Sequence, residues 1–509
     1  MLLVLPSYPY QNLGCEVRDG QNIIKKENAF YNISSTAKTS IGCIFCFFAH
    51  LFRFLSVLTK SQTRLESRRS SILKTYEGHK LHLYTAGNSE KAMDSIQFLN
   101  MHHEVFNTER FGQLNRDNVD FILIVQVHSR IDYLNYLVGS LSRAKGIERV
   151  LLIFSYDQNS DPINELIKSI DFCRVTQIFF PFNIQLFPNS YPGRDPSDCP
   201  EGIKKSEDLK CANAAYPDTH GNFRLPKLAQ IKHHWWWKAN YAFDGIMPKY
   251  GLEEKALILL EEDHIVAPDF LHSLKLIHKE RKRVCPDCEL ICLGTYPKKF
   301  SNYEKDISKL GIEFWYSSKF NMGMAIDRKL WKAVQNCSQF FCSYDDYNWD
   351  WTLLQLSVRC LPSKMRVVYT KAPRVLHIGD CGVHTHRCKV DRAAHDALKL
   401  FERANSSFFP ASMHVLEVGK RMLKPSKPNG GWGDPRDIRL CELNTHPLGV
   451  DAAAVLMEAK NALPVTEERN TTKTTEMNYR TYRLLFLLFL PFSPHSLTVF
   501  PKISAKQRI

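Results

Sequence analysis

The chain has 509 residues, of which 44% are hydrophobic and 24% charged, and it carries a formal net charge of +14 with a pI of about 9.0. This hydrophobic content excludes a wholly disordered chain and is ordinary for a globular protein. The positive charge is compatible with a membrane surface, an anionic small substrate or nucleic acid. Because the basic residues are scattered and form no known nucleic-acid-binding motif, no nucleic-acid partner is expected.

The first 115 residues are predicted to precede the folded domain. Residues 1–40 are polar and lack periodicity, which predicts a disordered cytoplasmic segment. Residues 41–58 are apolar and long enough to span a bilayer, with Arg53 near one end, and they predict a signal-anchor transmembrane helix. The alternative is a buried or interfacial amphipathic helix. Residues 59–115 are rich in charge, Ser and Gln and predict a stem.

Residues 116–442 alternate short apolar runs with helical patterns. Strands are predicted at 121–127, 150–154, 176–180 and 256–260, and helices at 131–144 and 162–170. This alternation is typical of α/β domains with a parallel, Rossmann-like sheet. In such domains ligands bind at the carboxyl ends of the strands.

Polar residues close the first two predicted strands. Residues 126–130 read Gln-Val-His-Ser-Arg, and Asp157 follows the second strand. Arg130 could bind phosphate through two hydrogen bonds, and Asp157 could accept hydrogen bonds from uracil or ribose. The alternative for each is a capping or surface role.

Two segments combine aromatic and polar residues. Residues 230–238 contain three consecutive Trp, and we interpret them as a helix buried on several sides, with polar tips lining a pocket, rather than a nucleic-acid stacking platform. Residues 344–351 offer aromatic walls for sugar rings, and Asp350, or Asp345 or Asp346, could act as a general base. The alternative is a structural loop whose acids cap turns.

Three acids, Glu261, Glu262 and Asp263, follow the apolar run at 256–260. Adjacent carboxylates raise one another's pKa unless a cation neutralises them. Their oxygen atoms suit Mg²⁺ or Mn²⁺, and His377 with Asp263 would form a mixed nitrogen and oxygen site. The alternatives are a solvated acidic turn and a structural histidine.

Fifteen cysteines, several in close pairs, favour disulfide bonds in an oxidising compartment. Cys285 and Cys288 also have the spacing of a zinc half-site, but no second pair of that spacing exists. Residues 443–509 differ in composition, with a polar, Thr-rich part and an apolar part interrupted by Pro491 and Pro494. A second membrane segment is one alternative there; we predict a non-catalytic tail of doubtful reality.

Together these features predict a metal-dependent glycosyltransferase that uses a nucleotide sugar. Eight motifs then resemble, in order, the N-acetylglucosaminyltransferase II family. They are QVHSR (126–130), KHHWWWK (232–238), LLEEDH (259–264), APDF (267–270), NMGMA (321–325), YDDYNWDW (344–351), HIGDCG (377–382) and NGGWGD (429–434). The resemblance extends from about residue 118 to residue 441.

The resemblance implies a GT-A type Rossmann-like domain that depends on Mn²⁺ and faces the lumen of the Golgi, on a single-pass type II membrane protein. It implies transfer of GlcNAc from UDP-GlcNAc to the 2-hydroxyl of the α1,6-arm mannose of an N-glycan on glycoproteins, with inversion. The acceptor would already carry GlcNAc on its other arm. Rival interpretations are a lectin-like member without activity and a related enzyme acting on the other mannose arm.

At matching positions, the resemblance implies that Asp350 is the catalytic base and that Asp263 and His377 bind Mn²⁺. The implied donor-binding residues are Gln126, Val127, His128, Ser129, Arg130, Asp157, Gln230, Ile231, Lys232, His233 and His234. The implied disulfides are Cys199–Cys211, Cys285–Cys288, Cys337–Cys360, Cys342–Cys441 and Cys381–Cys388.

Overall fold

The computed structural model describes residues 89–206, 209–379, 390–420 and 424–463. The predicted cytoplasmic segment, the predicted anchor at 41–58 and the first part of the stem lie outside these ranges, as does the tail from 464 onward. None of the helices in the described ranges is both long and apolar enough to cross a membrane.

Twelve strands are found in the described ranges. In chain order they are β1 Val105–Phe106, β2 Phe121–Val127, β3 Val150–Tyr156, β4 Arg174–Phe179, β5 Leu257–Glu261, β6 His264–Val266, β7 Leu290–Cys292, β8 Lys309–Phe314, β9 Met324–Ile326, β10 Arg366–Thr370, β11 Val375–His377 and β12 His414–Val418. Ten of these strands form one mixed sheet in the order β1-β4-β3-β2-β5-β9-β7-β10-β8-β12, and β6 pairs with β11 in a separate ribbon.

The α-helices lie between these strands and at both ends of the described chain. They are α1 Ser89–His102, α2 Thr108–Phe111, α3 Ile131–Leu141, α4 Asp161–Lys168, α5 Pro226–Tyr241, α6 Met247–Lys249, α7 Phe270–Val284, α8 Ser317–Phe320, α9 Arg328–Asn336, α10 Ser338–Ser343, α11 Trp349–Arg359, α12 Val390–Arg403, α13 Pro435–Leu443 and α14 Ala452–Lys460.

The four predicted strands form the parallel half of the sheet. Strand β2 lies between β3 and β5 and is parallel to both, with Val127 opposite Tyr156 and Gln126 opposite Glu261. Their apolar residues are buried on both faces, which is why each reads as a continuous apolar run. Because the strand order reverses at β2, the carboxyl ends of β2 and β5 border a crevice of the kind that binds nucleotides.

The other half of the sheet departs from the predicted parallel pattern. Strand β9 is antiparallel to both β5 and β7, and β8 is antiparallel to β10. Two parallel pairs also occur in this half, β7 with β10 and β8 with β12. The sheet is therefore mixed, and its continuous parallel part, β4-β3-β2-β5, lies on the side of the predicted strands.

The folded domain extends past the predicted limits of 116 and 442. Helix α1, in the predicted stem, is tied to the carboxyl end of β4, since the Asn100 side chain exchanges two 2.8 Å hydrogen bonds with the Phe179 backbone. Helix α14, in the predicted tail, buries Val455, Leu456 and Ala459. Residues 89–115 and 443–463 therefore belong with the domain, because they cover surfaces that would otherwise be exposed.

The structure contains four of the five implied disulfides: Cys199–Cys211, Cys285–Cys288, Cys337–Cys360 and Cys342–Cys441. The fifth, Cys381–Cys388, lies outside the described residues. Because Cys285 and Cys288 bond to each other, the zinc alternative for this pair is excluded. Bond Cys342–Cys441 ties α10 to α13 across a sequence separation of 99 residues.

Candidate functional site

Arg130 binds two of the three acids at the end of β5, Glu262 and Asp263. Glu262 is buried, and its carboxylate accepts a hydrogen bond from the His128 backbone N–H at 2.8 Å and another from Arg130 Nε at 2.6 Å. The same guanidinium lies 3.0 Å from Asp263 Oδ2. Glu262 therefore fixes the loop after β2 against the end of β5, while Arg130 balances the charge of two acids.

Asp263 and His377 are brought together by the β6–β11 ribbon. The ribbon pairs His377 with His264, and His377 Nε2 lies 3.2 Å from Asp263 Oδ2. A Cβ atom on Gly379 would lie 2.3 Å from Asp263 Oδ2, so this position requires glycine. Burial favours a higher pKa for Asp263, but His377 and Arg130 outweigh it and lower that pKa, so the carboxylate is ionised.

The residues present at this site fit a divalent cation. One carboxylate oxygen of Asp263, Oδ1, is buried and has no hydrogen-bond partner among the described residues. Ligand atoms of Glu261, Asp263 and His264 all lie within 4.8 Å of one another. Burial and the Asp263 charge raise the pKa of Glu261 to about 7, which reflects negative charge that a cation would offset. The mixed oxygen and nitrogen set suits Mn²⁺.

On the other side of β2, Asp157 holds a second polar group in place. Its buried carboxylate lies 2.6 Å from His128 Nδ1 and accepts a 2.9 Å hydrogen bond from Gln230 Nε2. His234 Nδ1 lies 3.5 Å away and its Nε2 contacts Ser155 Oγ at 2.8 Å. Asp157 is thus occupied by the protein, and it orients the His128 side chain, which is 54% exposed at the crevice.

The remaining candidates of the loop after β2 differ in exposure. Ser129 is exposed, Val127 is buried, and Gln126 is half-buried. The Gln126 side-chain oxygen is a buried atom that has no hydrogen-bond partner within the described ranges. His128, Ser129 and Arg130 therefore provide the accessible polar groups of this loop.

Helix α5 buries its three tryptophans in three directions. Trp235 stacks on Trp349 with ring centroids 4.3 Å apart, Trp236 stacks on Phe341 at 4.3 Å, and Trp237 stacks on Tyr241 at 4.8 Å. All three rings are buried. This confirms the interpretation of a helix buried on several sides and excludes a stacking platform for nucleic acid.

Two of the donor-binding candidates on α5 are buried and are held by other parts of the protein. Lys232 is fully buried, and its ammonium donates to the backbone oxygens of Tyr344 at 3.2 Å and Asp346 at 2.9 Å. His233 Nε2 lies 3.0 Å from Asp437 Oδ1. Consecutive helical residues point in different directions, so a run of five cannot all face one ligand. Gln230 and His234 reach Asp157, and Ile231 is half-buried. The donor-binding role of residues 230–234 stays a prediction.

The acids at 344–351 separate by their partners. Asp345 accepts hydrogen bonds from the backbone of Thr219 and of Trp432, and Asp346 accepts several from Asn348 and Asn429. Each therefore ties loops together.

Asp350, in the first turn of α11, has fewer partners. Its Oδ2 accepts a 3.1 Å hydrogen bond from Asn321 Nδ2, and its Oδ1 accepts the Trp351 backbone N–H. Burial raises the pKa of Asp350, which suits a proton acceptor.

Two residues near this acid were not predicted from the sequence. Asn321 orients Asp350, and Tyr296, which is 47% exposed, lies with its ring centroid 6.3 Å from that of His377. Asn321 begins the motif NMGMA (321–325), and this motif could have indicated that Asn321 belongs to the site. Tyr296 has no local signal, because its neighbours come from distant segments.

Comparison with known proteins places these residues inside one family match. The family model of N-acetylglucosaminyltransferase II (MGAT2) matches residues 93–441, which include every described candidate of the site. The protein of Sus scrofa named alpha-1,6-mannosyl-glycoprotein 2-beta-N-acetylglucosaminyltransferase is 43% identical over 327 residues, covering 64% of this chain and 73% of that protein. A protein of the same name from Arabidopsis thaliana is 31% identical over 348 residues, covering 67% and 77%.

Among solved structures, the crystal structure of S. aureus TarS 1–349 aligns with a TM-score of 0.28 and 9% identity, covering 68% of this chain and 81% of that chain. A likeness at that level carries no argument about the site. The family match covers more than half of this chain, and residues 93–441 include the acid cluster, His377 and Asp350. This chain belongs to the N-acetylglucosaminyltransferase II family and is a glycosyltransferase.

Proposed function

We propose that this enzyme transfers GlcNAc from UDP-GlcNAc to the 2-hydroxyl of the α1,6-arm mannose of N-glycans, in a GT-A type domain that uses Mn²⁺. The names of the sequence relatives support this reaction. The observation that carries the proposal is the contact of the ionised Asp263 carboxylate with His377. This contact lies just after β5, beside the crevice at the carboxyl ends of β2 and β5.

On the donor side, Asp263 and His377 would hold Mn²⁺. The ion, when bound, would neutralise the diphosphate leaving group. Arg130 lies beside Asp263 and is fixed by Glu262, so it would contribute a further positive charge near the phosphates. His128, held by Asp157, and Ser129 would contact the nucleotide from the loop after β2.

On the acceptor side, Asp350 would accept the proton of the attacking hydroxyl. Asn321 Nδ2 holds one of its oxygens, which orients the carboxylate without neutralising it. A single base and no enzyme nucleophile lead to one displacement at the anomeric carbon, and therefore to inversion. An α-linked donor would give a β-linked product.

We further propose that the enzyme is a single-pass type II protein of the Golgi membrane, anchored through residues 41–58, with residues 89–463 in the lumen. The four disulfides support an oxidising compartment, since such bonds do not persist in a reducing cytosol. The N-glycan acceptor on glycoproteins is a partner expected in the same compartment.

The proposed metal site is tested by titrating Mn²⁺ into the protein with UDP and measuring UDP binding by calorimetry. Asp263→Ala and His377→Ala should each weaken Mn²⁺-dependent UDP binding by about a hundredfold or more, because each removes a direct ligand, whereas loss of a group supporting a ligand typically costs 10–100-fold. His395→Ala, which removes an exposed histidine on α12, is the matched control and should bind normally. An unchanged titration in either variant removes that residue from the site.

A further inference from the structure

A glycine directs one segment of the chain into the crevice. Strands β5 and β7 point the same way because β9 is antiparallel to both, so their carboxyl ends share one edge of the sheet. Just after β7, the Gly294 N–H donates to the Met322 carbonyl at 3.2 Å. A Cβ atom on Gly294 would lie 2.6 Å from Met322 Cβ and 2.9 Å from the Val375 carbonyl oxygen. Only glycine allows the chain to pass between these two segments.

Two residues later, this path places Tyr296 between the two parts of the proposed site. The segment on one side carries Asn321, which holds Asp350, and the segment on the other side carries His377. The ring centroids of Tyr296 and His377 lie 6.3 Å apart, and the two ring planes are inclined to each other by 60°.

The electrostatics agree with this position. Burial of the hydroxyl raises the pKa of Tyr296, and the charges of Glu261, Asp263 and Asp350 raise it further. The hydroxyl therefore stays protonated and does not serve as a base. The side chain is nevertheless 47% exposed, which leaves ring surface open to the crevice.

An exposed aromatic ring among carboxylates selects for a neutral ligand with an apolar face. A pyranose ring has such a face, formed by its C–H groups, and it packs well on aromatic side chains that line a binding crevice. The diphosphate of a nucleotide sugar is anionic and would be attracted to Arg130 instead. Asn321 contacts both Asp350 and the Tyr296 hydroxyl, so a sugar packed on this ring would lie next to Asp350.

We propose that Tyr296 is a positioning residue whose ring packs against the acceptor mannose and holds its 2-hydroxyl at Asp350. This inference rests on the proposed function and adds a specificity determinant to it.

The test compares Tyr296→Ala, which removes the ring, with Tyr296→Phe, which keeps it. We expect the acceptor KM of Tyr296→Ala to rise about tenfold, the effect of losing one aromatic contact, with the donor KM and Mn²⁺-dependent UDP binding unchanged. Tyr296→Phe should keep the acceptor KM within about twofold of wild type, because the ring contact survives. Phe300→Ala, at a 37% exposed ring four residues on, is the matched control and should leave both KM values unchanged.

Other results would overturn the role proposed for Tyr296 or the proposed function. A raised donor KM with an unchanged acceptor KM would overturn the proposal and move the ring to the donor sugar. An equal rise in the donor and acceptor KM values, together with a lower melting temperature, would indicate a structural role for Tyr296 and would also overturn the proposal. If the wild type transfers no GlcNAc, the proposed function fails. Saturation-transfer NMR of the acceptor glycan with the UDP-bound protein then decides whether the Tyr296 ring still binds the glycan.

Discussion

Hydrogen-bond partners distinguish the acids proposed to be reactive, Asp263 and Asp350, from the acids that hold loops together. Asp345 and Asp346 each bind the backbone of distant loops, so their carboxylates are fully used in holding the structure. Asp350 has Asn321 and a backbone N–H of its own helix, and Asp263 keeps one buried oxygen without a partner among the described residues. Sequence proximity alone did not separate these acids.

Replacing Asp350 tests its role as the base. Asp350→Asn keeps the shape of the side chain and should reduce kcat by about 10²–10⁴-fold, the usual contribution of a general base, while UDP binding stays normal. Asp346→Asn is the contrasting variant: it should lower the melting temperature, because this carboxylate holds Asn348 and Asn429. Full transfer by Asp350→Asn would place the base elsewhere.

The pH dependence of transfer follows from the raised pKa of Asp350. The base works only as a carboxylate, so activity should be present above this pKa and lost as the pH falls through it. Because burial raises the pKa above the ordinary value of 3.8, the acidic limb of the kcat/KM profile should lie at a higher pH than that of an exposed aspartate. UDP binding over the same pH range is the control for loss of the donor. An acidic limb at or below the ordinary value would contradict this environment.

At the scale of elements, helix α5 connects the two halves of the site. Gln230 contacts Asp157 on the donor side, while Lys232 holds the carbonyls of Tyr344 and Asp346 on the other. Trp235 stacks on Trp349, the residue before Asp350. One helix therefore contacts both Asp157, which orients His128, and the first turn of α11.

Removing one of these rings should affect chemistry as well as stability. Trp235→Ala should cost about 3–5 kcal/mol of unfolding free energy, as large aromatic truncations do, and should also lower kcat of the folded protein because Trp349 loses its support next to Asp350. Trp237→Ala is the matched control: its ring packs on Tyr241, so stability should fall while kcat per folded molecule stays near wild type. Equal kcat in both variants would show that α5 does not position Asp350. Thermal unfolding and active-site-normalised kinetics measure the two effects.

The sequence predicted the elements that depend on long apolar runs. Strands β2 and β5 and the acids at the end of β5 were located correctly, because a strand buried on both faces reads as a continuous apolar segment. The three-residue β9 carries too little pattern to reveal its direction. The contacts of Lys232 are with residues more than a hundred positions away, and the position of Tyr296 depends on the path of the chain at Gly294. Local sequence shows neither feature.

For the whole molecule, the two ends of the described chain complete the domain. The backbone N–H of Ala452, at the start of α14, donates to Gln97 of α1 at 3.3 Å. On α5, the Asn240 side chain donates to the Asn444 carbonyl at 3.1 Å, and Trp236 Nε1 lies 3.3 Å from Thr445 Oγ1. Segment 443–463 is thus attached to the helix that supports the site.

A truncation series tests this attachment. A chain ending at residue 442 should unfold at a lower temperature than one ending at 463, because it exposes the surface covered by Val455 and Leu456, each worth about 1.5–3 kcal/mol when fully buried. The chain ending at 463 retains every contact named here and should match the full chain. Equal melting temperatures for all three would show that 443–463 adds nothing to the domain. Differential scanning calorimetry on the three proteins decides between these results.

The most direct test of the account is a transfer assay on the purified enzyme with UDP-GlcNAc, in Mn²⁺ or in EDTA. Two acceptors are compared: an N-glycan core with GlcNAc on the α1,3 arm, and the same core without it. The proposed function predicts β1,2-linked GlcNAc on the α1,6-arm mannose of the first acceptor only, and only with Mn²⁺. UDP binding without transfer, or transfer to the second acceptor, would contradict it.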